Sequence, residues 1–256
     1  MTRALIGYTG FVGGNILAQQ SFDGLYNRTN IEQMKGQAFK LVVCAGAPAA
    51  KWIANKEPTK DLENIRRLTN SLAQVQAERF VLISTIDVYP KPVAVDEDTP
   101  INPTDLHPYG KRRLELERFV QENFDRHTII RLPGLFGQGL KKNVIYDLLN
   151  DNNVSQINPD SIFQFYSLQH IWQDINTALR NNLTLLNIAT EPTTVAEVVQ
   201  TGFGRKLNNL DMGSGARYDM HSKHAKLWGK TGYYQYQKAQ VLEEIRDFVR
   251  KYRPTS

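Results

Sequence analysis

Gly7, Gly10 and Gly13 stand at GxxGxxG spacing inside Leu5-Ile6-Gly7-Tyr8-Thr9-Gly10-Phe11-Val12-Gly13-Gly14-Asn15-Ile16-Leu17. The chemistry that suits this spacing is the cradling of a pyrophosphate. Gly7 fits a tight turn in which φ can be positive. Gly10 lets the backbone approach the diphosphate, and Gly13 lets a helix lie close on the preceding strand. An apolar run enters the stretch and a helical pattern leaves it, which is the context that gives a glycine triplet meaning. Backbone N–H groups at a helix N-terminus then face an anion, so Thr9, Phe11 and Val12 join the three glycines as expected dinucleotide contacts. An ordinary strand-to-helix turn is the alternative.

A dinucleotide site of this kind places an acidic residue about 20 positions after the first glycine, on the ribose 2′-hydroxyl. Counting from Gly7, the position falls at Asn27 and Arg28, and no carboxylate is there. Arg28 can instead accept a 2′-phosphate, which favours NADP with NAD as the alternative; a merely exposed arginine is the competing reading. Further on, the small residues Ala45-Gly46-Ala47 leave room for a flat ligand at a strand end. Ser84 and Thr85 lie at another strand terminus, on the side where parallel sheets bind ligands.

The elements that must hold these residues follow from hydrophobic patterning. Strands are expected at the N-terminus, at 25–27, 41–47 and 79–84, and at 128–133, separated by helices at 14–20 and 58–78. Continuous apolar runs such as Leu41-Val42-Val43-Cys44 suit a sheet covered on both faces. Alternating strands and helices indicate an α/β fold, a Rossmann-like doubly wound parallel sheet with right-handed crossovers. At 256 residues the chain is expected to form a single Rossmann-type unit over 1–256. Residues 1–137 would mainly bind the cofactor, and 138–256 would be mixed and contribute a small C-terminal substrate-binding region.

Composition narrows the functional classes. Cys44 is the sole cysteine, which excludes a disulfide framework and fits a reducing, cytoplasmic setting. No apolar run approaches the roughly 18 residues of a membrane span, and Met1-Thr2-Arg3 leads straight into the first expected strand, so no signal peptide is expected. The formal charge of +5 is scattered. No nucleic acid or membrane partner is therefore expected, and a mild basic excess suits anionic small molecules such as nucleotides.

The chain resembles the extended short-chain dehydrogenase/reductases, the NAD(P)-dependent epimerase/dehydratase group acting on nucleotide sugars. The resemblance rests on GYTGFVGG at 7–14, Asn64 with Asn70 in the long helix, STIDVY at 84–89 and PYGKRRLELE at 108–117. RLPGLFG at 131–137 and Asn187-Ile188-Ala189-Thr190-Glu191-Pro192 complete it. It implies that Tyr109 is the acid/base, that Thr85 binds the reacting oxygen, and that Ser84, Asn64, Leu132 and Pro133 contact the cofactor. In that group a Lys four residues after the Tyr holds the nicotinamide ribose and lowers the phenol pKa, ordinarily about 10. Arg113 occupies that position here. It keeps the charge, so its pull on Tyr109 is expected to survive, but it is planar and bulkier. Lys111 lies on another face of the helix.

Dehydratases of the group follow the Thr with an Asp-Glu pair. Thr85 is followed by Ile86 and Asp87, so elimination is disfavoured; Asp87 is either an acid that meets substrate or a solvated strand-end carboxylate. Tyr89 is expected to be structural. Lys141, Lys142 and Asn143 lie where the group contacts substrate, with Asn143 favoured. Further elements expected are a helix at 143–151, a strand at 161–167, a strand at 185–189, a helix capped by Thr193 or Thr194 with Glu197 in its first turns, and an amphipathic helix at 238–252. The basic stretch 202–232 either closes over a diphosphate or is a solvated loop. His170 suits packing or the surface, and His221 with His224 has no third ligand, so no metal is expected.

The expected activity is hydride transfer between nicotinamide and a sugar, with a nucleotide-linked small molecule as the substrate and a homodimer as the open assembly. Keto-sugar reduction is favoured over epimerisation. The alternative is a catalytically silent NADP-binding sensor or scaffold.

Overall fold

The computed structural model describes residues 2–207, 209 and 212–252. The chain divides into two compact units. The first comprises residues 1–90, 99–131 and 169–186, and the second comprises 91–98, 132–168 and 187–256.

The first unit is built on a six-stranded parallel sheet. Its strands are β1 (Arg3–Ile6), β2 (Gly24–Tyr26), β3 (Leu41–Cys44), β4 (Phe80–Thr85), β5 (His127–Leu132) and β6 (Leu185–Asn187). They lie in the order β6-β5-β4-β3-β1-β2. The helices are α1 (Phe11–Gln19), α2 (Lys51–Lys56), α3 (Pro58–Leu72), α4 (Pro108–Asn123) and α5 (Ile171–Arg180). Successive strand residues point to opposite faces, which explains the unbroken apolar runs. Ala4, Ile6, Val42, Cys44, Phe80 and Leu82 share a core with Ile65, Leu68 and Leu72 of α3 and Leu116 and Val120 of α4. Their neighbours Leu5, Val43 and Val81 are fully buried as well, as are Ile16 of α1 and Ile171 and Ile175 of α5. A fully buried side chain of this size is worth about 1.5–3 kcal/mol, so both faces stabilise the sheet.

The strand order fixes where a ligand can sit. The chain runs from β1 outward to β2, then crosses to β3 on the other side of β1. The C-terminal ends of β1 and β3 therefore flank the topological switch point, where open α/β sheets bind ligands.

Several boundaries differ from those expected. The third strand stops at Cys44, leaving Ala45-Gly46-Ala47 outside the ladder. The long helix ends at Leu72 rather than 78, because Gln76–Ala77 turns away to pair in parallel with Ala38–Phe39. The first helix starts at Phe11 rather than at 14. The short helix α2 lies where no periodic apolar pattern is readable.

In the second unit, Gly134–Phe136 pairs in parallel with Phe165–Ser167, and Ile162–Phe163 pairs antiparallel with Thr193–Thr194. The strand expected over 161–167 is thus two strands. The break is at Gln164, whose buried amide donates to Thr190 C=O and Met220 C=O and accepts from Met220 N–H. Thr194 caps the helix Val195–Phe203 in a reciprocal box with Glu197, and Glu197 also pairs with Lys238 at 3.0 Å, at the start of the helix Lys238–Tyr252. No helix among the described residues is long and apolar enough to cross a membrane.

Candidate active site

The glycine turn has the geometry its spacing implies. Gly7 has φ +84°, and a Cβ there would lie 2.4 Å from the Ala45 carbonyl oxygen. A Cβ on Gly13 would lie 2.1 Å from the Gly7 carbonyl oxygen. A side chain at either position would therefore push α1 off β1 or β1 off the residues after β3. Gly10 is the N-cap of α1 and has no side-chain cap bond, which leaves first-turn N–H groups for an outside acceptor. Gly46 closes the other wall, where a Cβ would meet Ile6 at 2.9 Å. Close backbone walls and uncapped donors at the sheet's switch point fit a dinucleotide diphosphate.

At the end of β2, Asn27 is tied into its own loop. Its Oδ1 accepts from Thr29 N–H at 2.8 Å and from the Thr29 hydroxyl at 2.7 Å. Its Nδ2 donates to the Tyr8 hydroxyl at 3.3 Å. Arg28, next to it, is exposed. Asn64 sits half-buried on α3.

Thr85 ends β4 and caps the turn Ile86–Val88, its hydroxyl oxygen accepting from Asp87 N–H at 3.2 Å. Tyr109 is in the first turn of α4 and is buried. Pro108 starts that helix, and the donors behind it are satisfied by side chains. Asn55 Oδ1 of α2 accepts Tyr109 N–H at 3.0 Å, and His107 Nδ1 accepts Gly110 N–H at 3.1 Å. The close approach of α4 to the turn depends on Gly110, where a Cβ would lie 2.2 Å from the Asp87 carbonyl oxygen.

The Arg113 guanidinium does reach Tyr109, with Cζ 4.3 Å from the ring centroid. However, it forms a bidentate pair with Asp61 of α3, Nη1 to Oδ2 at 2.9 Å and Nη2 to Oδ1 at 3.0 Å, and also donates to Pro48 C=O. Arg113 and Asp61 are only 3% and 4% exposed. The guanidinium Nε is buried without a hydrogen-bond partner. The pull on the phenol is accordingly outweighed. Burial raises the Tyr109 pKa above its ordinary value, Asp87 adds to the rise, and Arg113 and Thr85 oppose it. The expected pull of Arg113 on the phenol is present, but desolvation exceeds it, so proton loss is not eased and the phenol is held protonated.

Asp87 is not a solvated strand-end carboxylate. Lys51 Nζ of α2 lies 2.6 Å from its Oδ1, and the carboxylate side chain is 16% exposed. His107 stacks beside Tyr109 with ring centroids 6.2 Å apart. Burial, and secondly the Lys51 charge, hold its pKa below 6.5 against the pull of Asp87.

Ser84 faces a different network. Its hydroxyl donates to Glu117 of α4, and Glu117 pairs with Arg131 through Nε at 3.0 Å and Nη2 at 2.6 Å. Arg131 also donates to the Tyr89 hydroxyl at 2.7 Å. All but Ser84 are buried, which makes Tyr89 part of a structural clamp.

Leu132, Pro133 and Asn143 belong to the second unit. Leu132 and Pro133 are buried at the end of β5. Asn143 has φ 105° and caps the helix Val144–Leu149, its Oδ1 accepting from Ile145 and Tyr146 N–H while Nδ2 donates to Leu135 C=O at 2.7 Å. Lys141 and Lys142 are exposed. In the basic stretch 202–232, residues 208, 210 and 211 lie outside the described residues. His221 stacks on Tyr233 at 4.4 Å and pairs with Asp219 at 3.2 Å. His170 sits in the turn before α5. Among the described residues no group of three or more His, Cys, Asp or Glu is placed to hold a metal ion.

The structure thus brings together Thr85, Asp87, Tyr109 and Arg113, and adds Lys51, Asn55, Asp61 and His107, which the sequence did not single out. Pro108 was a readable helix-start signal, but a histidine at the cap is outside the usual set of capping residues. Lys51, Asn55 and Asp61 carried no signal.

Residues 19–165 match the family model described as NAD dependent epimerase/dehydratase family. No curated protein sequence matches the chain. Among solved structures, MoeE5 in complex with UDP-glucuronic acid and NAD is similar at 16% identity, with TM-score 0.74 and coverage of 98% of this chain and 99% of that one. The UDP-glucose 4-epimerase of Thermotoga maritima with UDP-glucose has TM-score 0.72 at 15% identity, with 98% of both chains covered. RMD from Pseudomonas aeruginosa complexed with NADPH has TM-score 0.69 at 16% identity, covering 98% of this chain and 99% of that one.

Proposed function

This chain belongs to the NAD-dependent epimerase/dehydratase family, and on that premise we propose that it reduces the keto group of a nucleotide-linked sugar with NADPH. The observation that carries this reading is the Tyr109 phenol, kept protonated beside Thr85 by burial and Asp87. A reduction needs a group that gives a proton to the carbonyl oxygen as the carbon gains hydride; epimerisation needs the same group to take a proton first. Elimination needs a second carboxylate, and Ile86 stands in its position.

The glycine turn at 7–13, with Thr9, Phe11 and Val12, would hold the diphosphate of the dinucleotide, and Ala45, Gly46, Ala47 and Asn64 would line its path. When bound, the reduced nicotinamide supplies the hydride. The Thr85 hydroxyl, whose oxygen caps the turn and which hydrogen-bonds the Tyr109 phenol, would turn its hydrogen to the substrate oxygen. Tyr109 O–H delivers the proton to that oxygen, a downhill transfer from a phenol to an alkoxide. Arg113, over the ring at 4.3 Å, stabilises the phenolate until it regains a proton from solvent.

The exposed Arg28 at the end of β2, with no carboxylate beside it, supports NADPH over NADH. A neighbour with NADPH and one with NAD show that this fold accepts both. Neighbours bound to UDP-glucose and UDP-glucuronic acid support a nucleotide sugar as the substrate class.

The test is NADPH oxidation by the purified chain with a panel of nucleotide-linked keto-sugars, wild type beside Tyr109→Phe. The substitution should lower kcat by about 10²–10⁴-fold, the usual worth of a positioned acid. A protein that binds no NADPH, or a Tyr109→Phe variant that reduces at the wild-type rate, refutes the assignment.

A further inference from the structure

Helix α2 is a six-residue helix, too short to be stable by itself. It starts with Lys51, and a cation at a helix N-terminus opposes the helix dipole. Local physics therefore disfavours both the helix and the placement of its first residue, and tertiary contacts must hold them. Two of those contacts run to the reaction centre. Lys51 Nζ lies 2.6 Å from Asp87 Oδ1, and one turn later Asn55 Oδ1 accepts the N–H of Tyr109 at 3.0 Å.

We propose that α2 is a positioning element of the centre, in which Lys51 is the cation that balances Asp87 beside Tyr109 and Asn55 fixes the backbone of Tyr109. The proposal rests on the reading of Tyr109 as the proton donor. The position four residues after Tyr109 holds a guanidinium already paired with Asp61 at 2.9 and 3.0 Å. That guanidinium is committed to Asp61 and pulls on the Tyr109 phenol, and among the described residues no hydrogen bond or ion pair ties it to Asp87. Lys51 comes from a separate helix and supplies the charge that meets Asp87. Its side chain is 38% exposed, so it stays accessible to an arriving substrate, unlike the buried Arg113.

The same cation holds α4 in place. His107 Nδ1 caps α4 by accepting Gly110 N–H at 3.1 Å, which requires the unprotonated nitrogen. The charged groups acting on the imidazole are Lys51 from α2 and Asp87 from the turn Ile86–Val88. Burial first and the Lys51 charge second favour the neutral ring, and a neutral ring keeps the first turn of α4, and with it Tyr109, in register with Thr85.

The test is NMR titration of His107 in the full chain, assigned by loss of its signal in His107→Asn, which needs neither cofactor nor substrate. Lys51→Met should raise the His107 midpoint by about half a unit or more, Asp87→Asn should lower it, and the double variant should return towards wild type. Lys51→Arg, which keeps the charge, should leave it in place. In the reductase assay Lys51→Met and Asn55→Ala should lower kcat at least about tenfold with KM changed less than twofold, and Lys51→Arg should recover most of the rate. An unmoved His107 midpoint in Lys51→Met overturns the proposal whatever the activity. A moved midpoint without turnover on any keto-sugar supports the charge balance and overturns the reductase reading instead.

Discussion

The Asp61–Arg113 pair decides what the residue four positions after Tyr109 can do, and it can be tested without a substrate. Both side chains are under 5% exposed, bonded twice to each other, with a third bond from Arg113 to Pro48 C=O. Removing one member of such a pair strands the other charge out of water and destabilises by about 3–5 kcal/mol. Replacing both by apolar residues of similar volume is often neutral or even stabilising, less about 1 kcal/mol for the Pro48 carbonyl left without its donor. A folded domain is stable by about 5–15 kcal/mol in all. Asp61→Leu and Arg113→Met should therefore each lower the urea midpoint by about 1 M or more, taking a slope of roughly 3 kcal/mol/M. The double variant should be more stable than either single one. Urea unfolding followed by circular dichroism reads all four proteins. If the single variants lose less than about 1 kcal/mol, or if the double variant loses the sum, the guanidinium is not locked on Asp61. Arg113 would then be free to turn towards a bound ribose.

Three further outcomes follow from the geometry. Gly13→Ala places a Cβ 2.1 Å from the Gly7 carbonyl oxygen, so α1 must shift; if backbone groups of that turn hold the diphosphate as proposed, NADPH affinity by calorimetry should fall at least about tenfold. Arg28→Ala should weaken NADPH binding about tenfold, the worth of one exposed charge-assisted contact, and leave NADH unchanged; equal losses for both would remove the 2′-phosphate assignment. The depressed His107 pKa means that the unfolded chain binds a proton more readily than the folded one. The resulting stability is complete above about pH 6.5 and is lost as pH falls through the lower folded value. His107→Asn, which keeps a capping side chain, should show a shallower decline of Tm between pH 7 and 5 than wild type, and an equal slope would contradict the depressed value.

The amino-acid sequence by itself determined the framework of this protein. Gly7 and Gly13 announce their turn because only a residue without a Cβ tolerates a carbonyl oxygen 2.4 and 2.1 Å from where that atom would be. Leu41–Cys44 and residues 80–83 announce a sheet covered on both faces because their apolar runs are unbroken. Thr194 with Glu197 announces a helix start because both halves of the box lie within four residues. Each of these signals is local, set by the backbone or by a short period. The charge balance around Tyr109 was decided only by tertiary structure. Arg113 meets Asp61 across 52 positions, Lys51 meets Asp87 across 36, and Asn55 meets Tyr109 across 54. A carboxylate leaves no periodic trace of the distant cation it will pair with. The effective charge of Arg113, and the direction in which the Tyr109 phenol titrates, therefore emerge only when α2, α3 and α4 are packed side by side.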